Sequence, residues 1–493
     1  MPNCVIYEVC GLPDDADPEK RLCILHSRNV RKAPEAFMAA LQAHCEKSHN
    51  FRAFVFPRDA SFAGARFPEG ADFSGASFLL GAYFSGAEFG GDTTFAGATF
   101  AEAHFFATVF TAGASFARAT FDGKTRFTDA TFAVGASFHD ATFAGDADFT
   151  KARFARETSF AAGTFAERGR FAEAQFTQEA NFFRTKFAGA ADFAGTTFCR
   201  GARFAEATFQ RGADFDGVAF QAGRVDFAQA VLLGPTRFAP RRIRKEWVPV
   251  FGTAEVDFRA VRIEPPESLA FVEVNLERCR FVDTDLRGVR LTGLRWAQLP
   301  WGLWARVGAR DAVYDEQQPE RYAPMPWAKL EDLYRQLKKN YEEQRDFDRA
   351  GDFHFGEKEM RRRNPATPRG LRRLLTLYRG VSGYGELWLR PLAFFLALVL
   401  AGALGYLVGG LWVRDPVGPS GSLLSVRAGQ GAMGGGLAAV GESLLYSLRV
   451  MTLLRPDDVV PVGWSRLIQT VQSLVGPVLL GLAGLAIRQR LRR

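Results

Sequence analysis

Phenylalanine recurs along this chain at gaps alternating five and six residues, through Phe62, Phe67, Phe73, Phe78, Phe84, Phe89, Phe95 and Phe100 and onward to Phe220. A step of five fits neither the 3.6-residue period of a helix nor the two-residue period of a strand. Two residues before most of these rings stands a small one, as at Ala65, Ala71, Ala76, Ala82, Ala87 and Ala98. The unit is small-x-Phe-x-x, with polar residues such as Asp72, Glu88, Asp148 and Arg153 in its middle. A chain that turns a corner every five residues puts the rings and small residues inside and the polar ones outside. Each unit then buries its ring only against its neighbours.

This pattern resembles the pentapeptide-repeat family, in a Phe-centred variant, from Phe62 to Phe227. A second block, Phe271, Leu276, Phe281, Leu286 and Leu291, with Asn275 and Asp285 ahead of two leucines, is close to the family's usual A(D/N)Lxx. The resemblance implies a right-handed quadrilateral parallel β-helix, a solenoid. The extra residue in alternate steps makes an 11-residue double unit, read as a bulge or wider corner on two sides. Seven to eight coils at a strand spacing of about 4.8 Å give a rod of roughly 36 Å. The main block is assigned to 51–227 and the second to 271–296. Residues 228–270, with Pro235, Pro240, Pro249, Pro265 and Pro266, are expected to be an irregular interruption between them.

The other end of the chain is of a different kind. Pro391 to Val413 and Leu467 to Ile487 run for 23 and 21 residues without a charge. A helix needs about 20 apolar residues to cross a bilayer, so both are long enough. Arg361, Arg362, Arg363, Arg369, Arg372, Arg373, Arg379 and Arg390 precede the first run, and Arg488, Arg490, Arg492 and Arg493 follow the second. Positive flanks favour the cytoplasmic side, which predicts a two-helix transmembrane hairpin in the inner membrane, both termini cytoplasmic and 414–466 outside. From Phe62 to Phe227 there are 15 Lys and Arg against 19 Asp and Glu, a net of −4, while the rest of the chain carries +12. That excess suits anionic headgroups of a lipid bilayer beside the spans, and the nucleic-acid reading is the weaker. The polar N-terminus, with Asp14, Asp15 and Asp17, does not read as a secretory signal.

Four of the six cysteines fall in the first 45 residues. Cys4, Cys10, Cys23 and His26 form C-x5-C-x12-C-x2-H, a donor set suited to one tetrahedral structural zinc ion, which would give a short segment without its own core a fold. The alternative is a small cap, residues 1–50, in which these thiols are buried and reduced. His44, Cys45 and His49 are further donors on or beside a helix predicted from Pro34 to Lys47. Phe51 to Pro57 reads as a first strand closing the end of the solenoid.

Residues 297–327 read as an aromatic and Pro-rich linker, and 328–390 as an α-helical linker. Leu330, Leu333, Leu337 and Tyr341 mark one face of a helix. Gly351 is the expected turn of a helical hairpin. Leu371 to Leu389 mixes Arg with Leu, Tyr and Trp388, as an interfacial helix does.

Within 391–493 the order is span, short helix (Leu437 to Leu454), loop and span, which resembles a two-span cation channel pore. With Asp458 and Pro461 laid on the corresponding Asp and Pro of a potassium channel, Met451 and Thr452 coincide with its pre-filter Met-Thr. Leu453, Leu454, Arg455, Pro456 and Asp457 then stand where T-V-G-Y-G would be. Such a filter needs glycines to aim successive carbonyls at the ion, and a ring of arginines repels cations. Potassium selectivity is therefore not supported. Gly383, Tyr384 and Gly385 spell the filter tripeptide but precede the first span.

The readings that remain are an oligomeric channel-like protein carrying a cytoplasmic solenoid, with Thr452 to Asp458 as pore-loop candidates and an unspecified ion, and a membrane-anchored scaffold for a cytoplasmic protein partner. The family resemblance also admits DNA mimicry, which needs a more acidic rod than −4 over 166 residues. No nucleophile-elbow or phosphate-loop pattern points to an enzyme.

Overall fold

Rings that return to the same corner every coil dictate a stack, and the computed structural model shows its step. Ala114 pairs with Ala136, Thr120 with Thr142, Thr125 with Ala147 and Thr131 with Arg153, all parallel and 22 residues apart, one pair on each of four faces. The structure describes residues 10, 12, 21–29, 31–243, 246–301, 308–318, 321–322, 324–414, 421–424, 436–454 and 459–491. The chain divides into two compact units, Met1–Leu299 with Ala309–Asn340 and Pro300–Gly308 with Tyr341–Arg493.

The first unit is a parallel β-solenoid of about 11 turns. Its phenylalanines form four columns. In one, Phe138 lies 4.9 Å above Phe116 and 4.8 Å below Phe160, with planes within 3°. Columns across the coil from each other meet edge to face, as Phe127 and Phe138 do at 5.4 Å and 85° with Phe132 between them along the chain. Stacked within and T-shaped between columns, each ring satisfies both preferred geometries of its quadrupole.

The alternation of five and six residues comes from two kinds of corner. After Phe116 and Phe138 the chain turns tightly, closed by N–H bonds from Ala119 and Ala141 back to the carbonyls of those phenylalanines at 3.1 Å. The residue two after each such ring is left-handed: Ala107, Arg118, Asp129, Asp140 and Lys151 recur eleven apart with φ from 52° to 59°. In earlier coils the same place holds Gly64, Gly75, Gly86 and Gly97. The sixth residue lies in the alternate, open corners, such as the bend at Thr111–Gly113. This is the wider corner that the 11-residue unit predicts.

The expected interruption at 228–270 is corrected, because the coil runs on through it. Phe227 stacks on Phe258, Phe238 on Phe271 and Phe258 on Phe281, at 5.0, 5.2 and 5.4 Å. Val231–Leu232 pairs with Arg262–Ile263, and Thr236–Phe238 with Leu269–Phe271. The excess length leaves the coil as an antiparallel hairpin, Arg241–Ile243 with Glu246–Val248, bracketed by Pro240 and Pro249. Prolines mark its edges because they cannot donate to a ladder. About 11 coils extend the stack to roughly 50 Å.

Residues 297–327 are not a free linker. A coil end exposes unpaired backbone groups that need partners, and this region helps supply them. The Asp315 carboxylate accepts the Phe281 N–H at 2.9 Å, and Gln336 accepts that of Leu286 at 2.9 Å. Asn340 donates to the carbonyls of Leu286 and Val289, each at 2.9 Å. Ala297–Pro300 and Ala309–Ala312 form a two-stranded sheet. Beside it the buried Arg310 and Glu316 pair at 2.7 Å, with the Tyr334 hydroxyl on the same carboxylate oxygen.

Among the described residues the longer helices are α1 (Pro34–Cys45), α2 (Trp327–Glu343), α3 (Phe347–Arg363), α4 (Arg369–Ser382), α5 (Leu389–Gly409), α6 (Gly436–Met451) and α7 (Ser465–Leu491). The turn between α2 and α3 falls at 344–346 and not at Gly351, which is buried inside α3. Left-handed Arg345 ends the first helix, and Asp346 caps the second by accepting the Arg349 N–H at 3.2 Å. The Gly383-Tyr384-Gly385 tripeptide is the left-handed stop of α4. Tyr384 is buried and donates to Glu359 at 3.0 Å, the carboxylate that also holds Arg362, Arg363 and Arg379.

α5 and α7 are long and apolar enough to cross a membrane, and most of each is uncovered by the rest of the chain. α5 is shorter than the apolar run. It stops at Gly409, and Leu411–Arg414 joins Gly421–Leu424 and Val459–Pro461 in an antiparallel sheet.

Candidate functional site

Three of the four expected metal donors converge. Cys10, Cys23 and His26 are buried, and their ligand atoms lie within 4.8 Å of one another. The Cys10 and Cys23 sulfurs are 3.6 Å apart, and His26 Nδ1 is 3.2 Å from the Cys23 sulfur. Cys4 lies outside the described residues. His26 Nε2 is 3.1 Å from the Arg52 carbonyl. A carbonyl only accepts, so the ring proton sits on Nε2 and the Nδ1 lone pair faces the sulfurs. The turn that presents Cys23 and His26 is fixed by Ser27 N–H to the Cys23 carbonyl at 2.9 Å, and is tied to the first coil by Val55 N–H to the Leu25 carbonyl at 2.8 Å.

Burial shapes the chemistry of this cluster. It pushes the Cys23 thiol far above its usual range and lowers His26 to about 4, so the imidazole is neutral. Lys32, buried and donating to the Val55 carbonyl at 2.8 Å, is lowered to about 8. The reserve donors do not join the cluster. His44 bonds the Asn50 carbonyl at 2.7 Å, and His49 packs edge-on against Phe67. Cys45 is a free, half-buried thiol.

The second constellation lies along α5, α6 and α7. α6 runs antiparallel to α5 and parallel to α7. Tyr446 meets Tyr406 at 5.0 Å and accepts from Gln469 at 3.0 Å, while Met451 packs on Val399 and Leu479. α6 therefore ends halfway along both long helices. The chain then returns to Val459–Pro461, which pairs with Leu411–Val413 beyond the end of α5. Gly476 makes this ending feasible, since a Cβ there would stand 2.3 Å from the Met451 carbonyl oxygen.

α6 stops without glycine. Leu454 and Leu453 donate to the carbonyls of Arg449 and Val450 at 2.8 and 3.2 Å, with Leu453 left-handed at φ 62°, a Schellman stop. Thr452 turns its hydroxyl back to the Leu448 carbonyl at 3.0 Å, and Leu453 and Leu454 are 55% and 67% exposed. The remaining pore-loop candidates, Arg455, Pro456, Asp457 and Asp458, lie outside the described residues.

A polar knot missed from sequence holds the three helices together. Gln472 accepts from the Tyr406 hydroxyl at 3.0 Å and donates to Ser447 at 2.9 Å and to the Leu398 carbonyl at 2.8 Å; Ser447 donates to the Val399 carbonyl at 2.8 Å. Gly402 leaves room for it, as a Cβ there would lie 1.8 Å from the Gln472 amide nitrogen. The signal was present in two glutamines three apart inside an apolar run, a spacing that puts both on one helix face.

Parallel coils with four ring columns and outward polar positions define a pentapeptide-type β-solenoid, followed in the chain by a helical unit with two apolar helices of membrane length. The family model of pentapeptide repeats (9 copies) matches residues 105–153, within the solenoid. No curated protein and no solved structure matches the chain.

Proposed function

We propose that the protein is an oligomeric, channel-like membrane protein of the inner membrane, in which α5 and α7 cross the bilayer and α6 with its loop forms a re-entrant pore segment. The solenoid is then cytoplasmic, with both termini. The observation that carries this reading is the ending of α6 halfway along α5 and α7. If those helices span a bilayer, the chain leaves helical structure at membrane depth from Thr452 to Leu454. Non-helical backbone persists there only when covered by protein or bordering water. The charged sequence that follows, Arg-Pro-Asp-Asp, favours a water-filled opening shared between subunits. Val440, Leu444 and Leu448, exposed on α6, suit a neighbouring subunit.

Current across planar bilayers tests this. Purified protein should pass ions, and Arg455→Glu should move the reversal potential toward cations in a salt gradient. A second reading, a membrane-anchored scaffold, is favoured by a shallow trough of about 790 Å³ on one solenoid face, where Ser115, Ser137 and Ser159 are flanked by Asp92, Glu157 and Glu179. If neither protein passes ions while the solenoid binds a cytoplasmic partner, the scaffold reading replaces the channel.

A further inference from the structure

The geometry points to a structural zinc ion held by Cys10, Cys23 and His26 that locks the N-terminal cap onto the first coil of the solenoid. This site is independent of the membrane reading.

Two thiolates at about 2.3 Å and an imidazole nitrogen at about 2.0 Å from one tetrahedral ion stand about 3.8 Å and about 3.6 Å apart. The sulfurs here are 3.6 Å apart and the sulfur–Nδ1 separation is 3.2 Å, so shifts of a few tenths of an ångström admit the ion. A disulfide would need the sulfurs at about 2.05 Å. The Arg52 carbonyl completes the arrangement by holding Nε2–H and aiming Nδ1 inward, the usual outer partner of a ligating histidine.

Charge balance explains why a cation fits. Two thiolates and a neutral imidazole around Zn²⁺ make a complex without net charge, which a buried site tolerates, and binding releases the two thiol protons. The cap has little else to fold on. Among the described residues before Asn50, its buried apolar groups are the two thiols, Leu25 and Phe37. Through His26 and Arg52 the ion would fasten this cap over Phe51–Phe56, where the stack would otherwise present an open, pairing-competent end.

The test uses the full chain in detergent. Elemental analysis should find about one zinc per chain, and Cys23→Ser and His26→Gln should lose most of it, while Cys199→Ser, in the solenoid, keeps it. Because loss of a buried side chain can by itself unfold the cap, wild-type protein stripped with a chelator gives the second readout. Cobalt should then produce the thiolate charge-transfer and tetrahedral ligand-field bands. Proteolysis near Arg28 and Arg31 should speed up on stripping and slow again when zinc is restored. Zinc-free protein that gives no tetrahedral cobalt spectrum, or a Cys23→Ser variant that retains full zinc, overturns the site. So does a Cys10–Cys23 disulfide in protein purified without oxidant.

Discussion

The ring of Phe138 lies 5.3 Å from that of Phe149 and at 86° to it, and both are fully buried. The two belong to columns that face each other across the coil, with Phe143 between them along the chain, Phe149 stacking on Phe127 and Phe171 at 4.9 and 5.0 Å. Each ring thus contacts the coil above, the coil below and the ring across its own coil.

Removing either ring should open a cavity that neighbours cannot close, because the stack fixes them on every side. Phe138→Ala or Phe149→Ala should cost about 3 to 5 kcal/mol. Urea unfolding of the solenoid, followed by a probe in that coil, checks the magnitude. A loss under about 1 kcal/mol would contradict a continuous stack.

The tight corners predict a gain. Arg118 and Lys151 sit at positive φ, where a side chain is strained and glycine is not. At Gly86 and Gly97, the equivalent corners, an added Cβ would meet nothing within 4 Å, so backbone conformation alone decides. Lys151→Gly should stabilise by about 0.5 to 1 kcal/mol and Gly97→Ala should destabilise by about as much. Opposite shifts of the thermal midpoint are the expected reading.

Glu359 gives the helical unit a pH dependence. Burial pushes its carboxyl up, but the bond from Arg362 and the charges of Arg363, Arg379 and Arg362 outweigh this and bring it to about 2. A carboxylate held below its usual 4.5 contributes stability that is fully present above that value and is lost as pH falls toward 2. Melting profiles of detergent-solubilised protein should therefore fall through this window. In Glu359→Gln the acid-dependent part of the fall should shrink.

Charge bias fixes the expected topology. Single cysteines replacing Arg369 and Arg492 should resist an impermeant thiol reagent applied from outside, and one replacing Arg427 should react. Arg427 and Arg492 lie outside the described residues, so the prediction rests on the charges flanking α5 and α7. Labelling at Arg369 alone would invert the orientation, and with it the cytoplasmic solenoid.

The solenoid was legible in the chain because its contacts are nearly local. A ring meets partners at fixed offsets, so periodicity by itself carried the coil, the inward residues and the wider corner. The same logic failed at 228–270, where prolines read as a break. Only pairing across the looped-out hairpin, Val231–Leu232 with Arg262–Ile263, shows the coil resuming. The candidate metal donors were legible as residue types at a spacing. Their meeting depends on a turn tied to Arg52 and Val55, 26 and 30 residues beyond the ring and the leucine they bond. Apolar length gave α5 and α7. The point at which α6 ends, the Gln472 knot and the burial of Tyr384 on Glu359 were decided by tertiary structure, because they join residues 25 to 74 apart with no repeat to announce them.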